Sequence, residues 1–140
     1  MSPPDCRRCA AATIAIDAGE YAETVPAETT RLVLCTHCLA LESAPTDGAD
    51  TPTTAGADHE PAVAQVSEQF PTGEAAVPFA LLVGLLENLA LNRAAITDLL
   101  AAVEHAGVDP LARLEQLTHD PEIEPAIDLE GRARQLEQLL

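Results

Sequence analysis

Two Cys-x-x-Cys pairs constrain this chain more than any other feature of its sequence. Cys6 and Cys9 form the first pair, Cys35 and Cys38 form the second, and 25 residues separate the pairs. One Cys-x-x-Cys turn brings two thiolates onto one metal ion, and two such turns complete a tetrahedron of sulfur ligands. Because Zn²⁺ prefers this donor set and geometry, we predict that all four cysteines bind one zinc ion.

The predicted site is structural rather than catalytic. Four thiolates leave no open coordination position for a substrate or for an activated water. A module of about 40 residues buries too little apolar surface to fold on its core alone, so it needs a metal to hold it together. Ala10 and Leu39 follow the second cysteine of each pair, where glycine is common in such turns. The sequence therefore does not determine the geometry of the two turns.

The same four cysteines allow other chemistry. A thioredoxin-type redox motif uses one cysteine pair on a βαβ frame. This chain has two pairs and no such frame, which argues against a redox motif of that type. Two disulfides are possible on oxidation but do not fit a reducing compartment. Iron in a rubredoxin-like site would use the same ligands, so an iron electron-transfer protein stays an alternative.

Composition divides the chain into three zones. Residues 1–42 hold every cysteine and form the predicted zinc module. Residues 43–61 contain no apolar residue larger than Ala and are rich in Pro, Gly, Thr and Asp, which predicts a flexible acidic linker. Residues 62–140 carry apolar residues at helical spacing, which predicts a helical domain.

Short β-branched and aliphatic runs in the first zone predict strands at Thr13–Ile16 and Arg31–Leu34, with a third at Leu39–Leu41. The chain excursion between Tyr21 and Thr30 would absorb the long interval between the cysteine pairs. We therefore predict an α+β fold. A small N-terminal rubredoxin-like zinc ribbon of two or three short antiparallel strands is followed by a linker and an all-α region.

A seven-residue repeat of apolar side chains runs through the helical zone, at Leu82, Leu89, Ile96 and Val103. Its spacing predicts one helical face. Asn92 and Arg93 interrupt the repeat, so residues 75–106 form either one helix or two. The apolar face also suggests a homodimer through residues 79–140, because so few aromatic residues barely stabilise a monomer.

Capping residues predict the ends of the later helices. Gly107 suits a left-handed C-cap, and Asp109 followed by proline suits the start of the next helix. His119 and Asp120, followed by Pro121, should end that helix. Asp128 can cap a final helix that reaches the C-terminal leucines.

The charge balance is strongly acidic. The chain has 23 acidic and 7 basic side chains, a net charge of −16, and every basic residue is Arg. Such a surface repels a nucleic-acid backbone and an anionic membrane at ordinary salt. It suits a salt-loving cytoplasm, because molar salt shortens the Debye length to ~3 Å and screens self-repulsion. We expect a cytoplasmic protein without a membrane partner, since the longest apolar run, Ala75–Leu86, is too short to span a bilayer.

No pattern in the sequence indicates catalysis. Phosphate loops, HExxH motifs and Ser/His/Asp arrangements are missing, so we expect no enzyme. We expect instead a protein–protein interaction or adaptor module with an unknown protein partner. A nucleic-acid-associated zinc ribbon in transcription or translation is a further hypothesis, not favoured, which would use Arg7, Arg8 and Arg31 in the least acidic part of the chain.

Beyond the cysteine pairs and the acidic linker, four stretches carry a resemblance: residues 70–76, 89–93, 107–111 and 134–140. With them, nearly the whole chain resembles an uncharacterised haloarchaeal zinc-ribbon family, a domain of unknown function. The resemblance implies a salt-loving host and a ribbon fold, and it implies no activity. Only the cysteine pairs are specific in a chemical sense.

Overall fold

The computed structural model describes residues 6, 8–17, 21, 24, 31–43, 70–71, 73–121, 123–125 and 128–139. Three strands come first: β1 (Thr13–Asp17), β2 (Arg31–Cys35) and β3 (Leu41–Ser43). Four helices follow: α1 (Ala76–Leu85), α2 (Arg93–His105), α3 (Pro110–Thr118) and α4 (Leu129–Leu139). The predicted α+β fold, with a small antiparallel sheet before a helical region, is confirmed.

The sheet has the order β1-β2-β3, with both neighbouring pairs antiparallel. Ile14 lies opposite Leu34, and Leu34 lies opposite Leu41, so one face of the sheet is aliphatic. The prediction for the third strand was wrong in its position. Leu39 has a φ of 62°, a left-handed conformation that strand residues do not adopt, so β3 begins only at Leu41.

Helix α1 is apolar on nearly every side and lies at the centre of the structure. A 3₁₀ turn at Leu86–Asn88 follows it, and α2 begins after Asn92. The structure therefore has two helices where the sequence left one or two open. The side-chain amide of Asn92 donates a hydrogen bond of 3.5 Å to the carbonyl of Leu85 across the break. None of the helices described is long and apolar enough to cross a membrane.

The predicted helix ends lie where their caps indicate. Gly107, which follows the C-cap residue Ala106 of α2, has a φ of 91°, a conformation that favours glycine. The carboxylate of Asp109 accepts a 3.1 Å hydrogen bond from the backbone N–H of Leu111 at the start of α3. Asp128 accepts a 3.1 Å bond from the N–H of Gly131 and caps α4 in the same way.

The sheet and the helices contribute to one buried hydrophobic cluster. Ile14 and Leu34 of the sheet belong to it together with Phe79 of α1 and Val103 of α2. All four leucine-repeat positions are buried in this cluster, inside a single chain. The predicted division into domains stays a prediction, because most of the linker lies outside the described residues.

Gly84 permits the close contact between α1 and the sheet. A Cβ atom at this position would overlap the side chain of Leu41 in β3. Because glycine has none, the helix can lie directly against the strand that follows the second cysteine pair.

Candidate metal centre

The four cysteines come from two turns at the same end of the sheet. Cys6 and Cys9 precede β1, while Cys35 ends β2 and Cys38 lies in the turn that leads to β3. Their four Sγ atoms all lie within 4.8 Å of one another. We call residues 6–11 the first knuckle and residues 35–40 the second knuckle. The fold thus brings together every residue that the sequence predicts as a ligand.

The sulfur separations suit one tetrahedral metal ion. The Sγ atoms of Cys9 and Cys35 are 3.4 Å apart, and those of Cys6 and Cys38 are 3.6 Å apart. A zinc ion with bonds of about 2.3 Å to sulfur places neighbouring sulfurs roughly 3.8 Å apart. A disulfide would require about 2.05 Å, and all four cysteines are free thiols. The cluster could therefore hold a metal ion.

The two knuckles share their backbone closure. The N–H of Cys6 donates to the carbonyl of Ala11 at 2.8 Å, and the N–H of Cys35 donates to the carbonyl of Ala40 at 2.9 Å. Each bond spans five residues and folds its cysteine pair into a tight loop. Two stretches with little sequence in common therefore share the same closing hydrogen bond.

Each knuckle also directs backbone N–H groups at its first sulfur. Arg8 donates to the Sγ of Cys6 and His37 donates to the Sγ of Cys35, both at 3.3 Å. Such bonds stabilise thiolate charge and orient the sulfur toward a metal. This resolves the question that the missing glycines raised about the geometry of the turns.

The residue after each second cysteine is left-handed. Ala10 has a φ of 63° and Leu39 has a φ of 62°. Glycine adopts this conformation without strain, whereas other L-residues lose about 1–2 kcal/mol. Both knuckles therefore keep the conformation expected of a glycine without having one.

The ionisation of the free thiols differs across the cluster. Burial opposes ionisation of Cys6, but hydrogen bonds from the backbone N–H groups of Cys9 and Arg8 and from the thiols of Cys38 and Cys35 together outweigh it and lower the pKa of the Cys6 thiol to about 7. Burial raises the pKa of Cys35, and it raises the pKa of Cys38 strongly. A metal ion that binds here must therefore displace protons from the buried side of the site.

Two glutamates of the helical region reach the knuckles. The guanidinium of Arg8 pairs with Glu87 at 2.7 Å, and this carboxylate raises the pKa of Arg8. The imidazole of His37 lies 3.6 Å from the carboxylate of Glu124, whose N–H donates to the carbonyl of His37 at 2.9 Å. In each Cys-x-x-Cys segment, the residue just before the second cysteine thus contacts a glutamate. Nothing in the sequence signals either pairing, because the partners are far apart in the chain.

The basic residues near the site are those that the nucleic-acid hypothesis would use. Arg8, one of the candidate nucleic-acid contacts, has its guanidinium paired with Glu87. The side chains of Arg7 and Arg31 lie outside the described residues. The imidazole of His37 lies beside the carboxylate of Glu124.

A family model described as a family of unknown function, DUF6276, matches residues 5–140. The chain belongs to this family. The match covers both cysteine pairs and all four helices, so the resemblance seen in the sequence is confirmed as membership of a family of unknown function. No curated protein and no solved structure matches the chain.

Proposed function

We propose that this member of the DUF6276 family is a non-enzymatic zinc-binding protein with a structural four-cysteine site, and that it serves as a protein–protein interaction or adaptor module. One observation carries the proposal: four thiols from two closed knuckles lie within 4.8 Å of one another. A metal held by all four has no vacant position for substrate, so its role is to hold the chain in shape.

The contacts around the site support a scaffolding role for the metal. The first knuckle leads into β1, and the second knuckle joins β2 to β3. A metal that links the knuckles would fix the end of the sheet where β1 and β3 begin and β2 ends, and the helices pack on that sheet. The pairing of Arg8 with Glu87 then connects the same site to the turn after α1.

Composition supports a salt-loving, cytoplasmic setting. A net charge of −16 with no Lys is suited to molar salt, where charge repulsion is screened. Cysteines used as metal ligands fit a reducing compartment. We therefore propose a halophilic host, in line with the resemblance to haloarchaeal sequences.

The partner is proposed to be another protein. The engagement of Arg8 by Glu87 counts against phosphate contact by that residue. The leucine repeat that suggested a homodimer is buried within one chain, so it no longer supports self-association. A dimer through residues 79–140 stays a prediction, which sedimentation at micromolar concentration in molar salt will test.

Metal content tests the first half of the proposal. The full chain is purified in molar salt from cells supplied with both zinc and iron, and its metals are measured. We expect one zinc per chain and a colourless preparation. A red preparation with stoichiometric iron would establish the rubredoxin-like alternative, and metal retained after replacement of all four cysteines by Ser would refute the site.

Capture of partners tests the adaptor role. A tagged chain is recovered from native lysate in molar salt, with and without nuclease. The variant with all four cysteines replaced by Ser is treated in the same way. A second variant, Leu91→Ser, changes a large apolar side chain that is 85% exposed and leaves the zinc site intact. Protein partners that survive nuclease and disappear with the cysteine variant support an adaptor. Partners lost on nuclease treatment would instead indicate the nucleic-acid alternative.

A further inference from the structure

Exposure separates Cys9 from the other three cysteines. Cys6, Cys35 and Cys38 are buried, with 6%, 1% and 6% of their surface exposed. Cys9 is exposed to solvent although its sulfur belongs to the same cluster. The site therefore has one face that a reagent can reach directly.

Access, rather than protonation, decides reactivity in the loaded site. Every sulfur bound to zinc is a thiolate, so all four have the nucleophilic form. The sulfurs of Cys6 and Cys35 are shielded by burial, and each accepts a backbone N–H bond of 3.3 Å that draws on its charge. An electrophile from solvent meets the sulfur of Cys9 first.

We infer that Cys9 is a modification site, at which an oxidant of the hydroperoxide class enters the metal centre, and that Cys35 completes the reaction as the resolving cysteine. The Sγ atom of Cys35 lies 3.4 Å from that of Cys9, so the two can bond after a small rotation. This inference rests on the proposed zinc site and adds a reaction to it.

The chemistry balances with one hydroperoxide per disulfide. The Cys9 thiolate attacks a peroxide oxygen, so an S–O bond forms, the O–O bond breaks and hydroxide leaves. Cys9 is then a sulfenic acid, oxidised by two electrons. The Cys35 thiolate attacks this sulfur, so the S–S bond forms, the S–O bond breaks and a second hydroxide leaves. Two thiolates and one hydrogen peroxide yield one disulfide and two hydroxide ions.

The product would replace one link between the knuckles with another. A Cys9–Cys35 disulfide joins residues 6–11 to residues 35–40, as the metal does. The Sγ atoms of Cys6 and Cys38, 3.6 Å apart, are placed to form a second disulfide of the same kind. Oxidation would thus release the metal yet keep the sulfurs of the two knuckles joined, whereas chelation would leave only the hydrogen bonds of the sheet between them.

The experiment uses the zinc-loaded full chain in molar salt. Its zinc content is measured first, and a substoichiometric amount of N-ethylmaleimide is then added. Peptide mapping should find Cys9 modified at least tenfold faster than any other cysteine. Equal labelling of all four would mean that the site opens as a whole, which overturns the inference.

Hydrogen peroxide then tests the resolving step. Trypsin cleaves after Arg7 and Arg8 and so separates Cys6 from Cys9, which makes the crosslinks assignable. We expect the first disulfide to join the peptide that begins at Cys9 to the peptide that begins at Leu32. Fragmentation should place that bond on Cys35, with zinc released in step. A first bond within either Cys-x-x-Cys pair overturns the inference.

Two variants form the matched control. Cys9→Ser should slow peroxide-driven zinc release at least tenfold, and Leu91→Ser, at an exposed position outside the zinc site, should leave its rate unchanged. If either variant fails to load zinc, the mapping of the unaltered chain decides alone. A chain that binds no metal overturns the proposed function and this inference together. A zinc-loaded chain that is attacked elsewhere overturns only the inference.

Discussion

The two knuckles have the same geometry and opposite surroundings. Both close through an N–H bond across five residues, and both place a non-glycine residue at a φ near 60°. In the first knuckle, Cys9 and Ala10 are exposed, whereas Cys38 and Leu39 of the second knuckle are 6% and 5% exposed. The two cysteine pairs thus share their closing bond and left-handed residue, while the rest of the chain decides which knuckle is buried.

The strand that comes after each knuckle explains the difference in burial. The second knuckle leads into β3, where Leu41 lies directly against α1 at Gly84. Leu39 joins the cluster shared by the sheet and the helices. The first knuckle leads into β1, whose Ala15 and Asp17 are exposed. Replacement of matched positions in the two knuckles should therefore have unequal effects.

Loss of a ligand should have the largest effect. Cys35→Ser removes a buried sulfur that accepts N–H bonds from His37 and Cys38, so we expect zinc affinity to fall by more than about 100-fold. Cys9→Ser should lower zinc affinity by a factor at least tenfold smaller, because solvent can fill the vacated ligand position. Competition with a chromophoric chelator measures both. Equal losses would show that burial does not distinguish the knuckles.

The next largest effect should come from replacing the residue after the second cysteine of each knuckle. Leu39→Ala empties a buried position and should lower the free energy of unfolding by about 2–5 kcal/mol. Ala10→Leu at the exposed counterpart should change it by less than about 0.5 kcal/mol. Urea unfolding of the zinc-loaded chain in molar salt compares them, and similar values would contradict the asymmetry.

The contact behind the second knuckle can be broken from the helical side. Gly84→Ala should destabilise the chain by about 1–3 kcal/mol, because the new Cβ overlaps Leu41. Helix propensity alone predicts the opposite sign, a gain of roughly 1 kcal/mol. Adding Leu41→Gly, which removes the overlapping Cβ of that residue as well, should recover part of the loss in a double-mutant cycle. If the two changes prove additive, the close approach of helix and strand is not what Gly84 provides.

The smallest expected effect is a gain. Ala10→Gly relieves the left-handed strain at the exposed knuckle and should stabilise the loaded chain by about 1 kcal/mol. The same change at Ala101, an exposed position inside α2, should cost about 1 kcal/mol. Thermal unfolding of both variants tests the contrast. Two losses would mean that the conformation at Ala10 carries no strain.

Much of the fold could be predicted because its signals are local. Alternating aliphatic residues predicted β1 and β2, and capping residues such as Asp109 and Gly107 predicted the helix ends. The third strand was misplaced because Leu39 has the side chain of a strand residue but the backbone of a turn. A propensity argument has no means to see that conformation.

The order of residues along the chain was enough to identify the four residues that could form a metal site, because two Cys-x-x-Cys turns carry their own geometry. It was also enough to predict the α+β class and the ends of the later helices. Tertiary packing decided that Cys9 faces solvent while Cys38 does not, that the leucine repeat is buried within one chain, and that Arg8 meets Glu87. Those features depend on contacts between segments far apart in the chain, and no local pattern of residues encodes them.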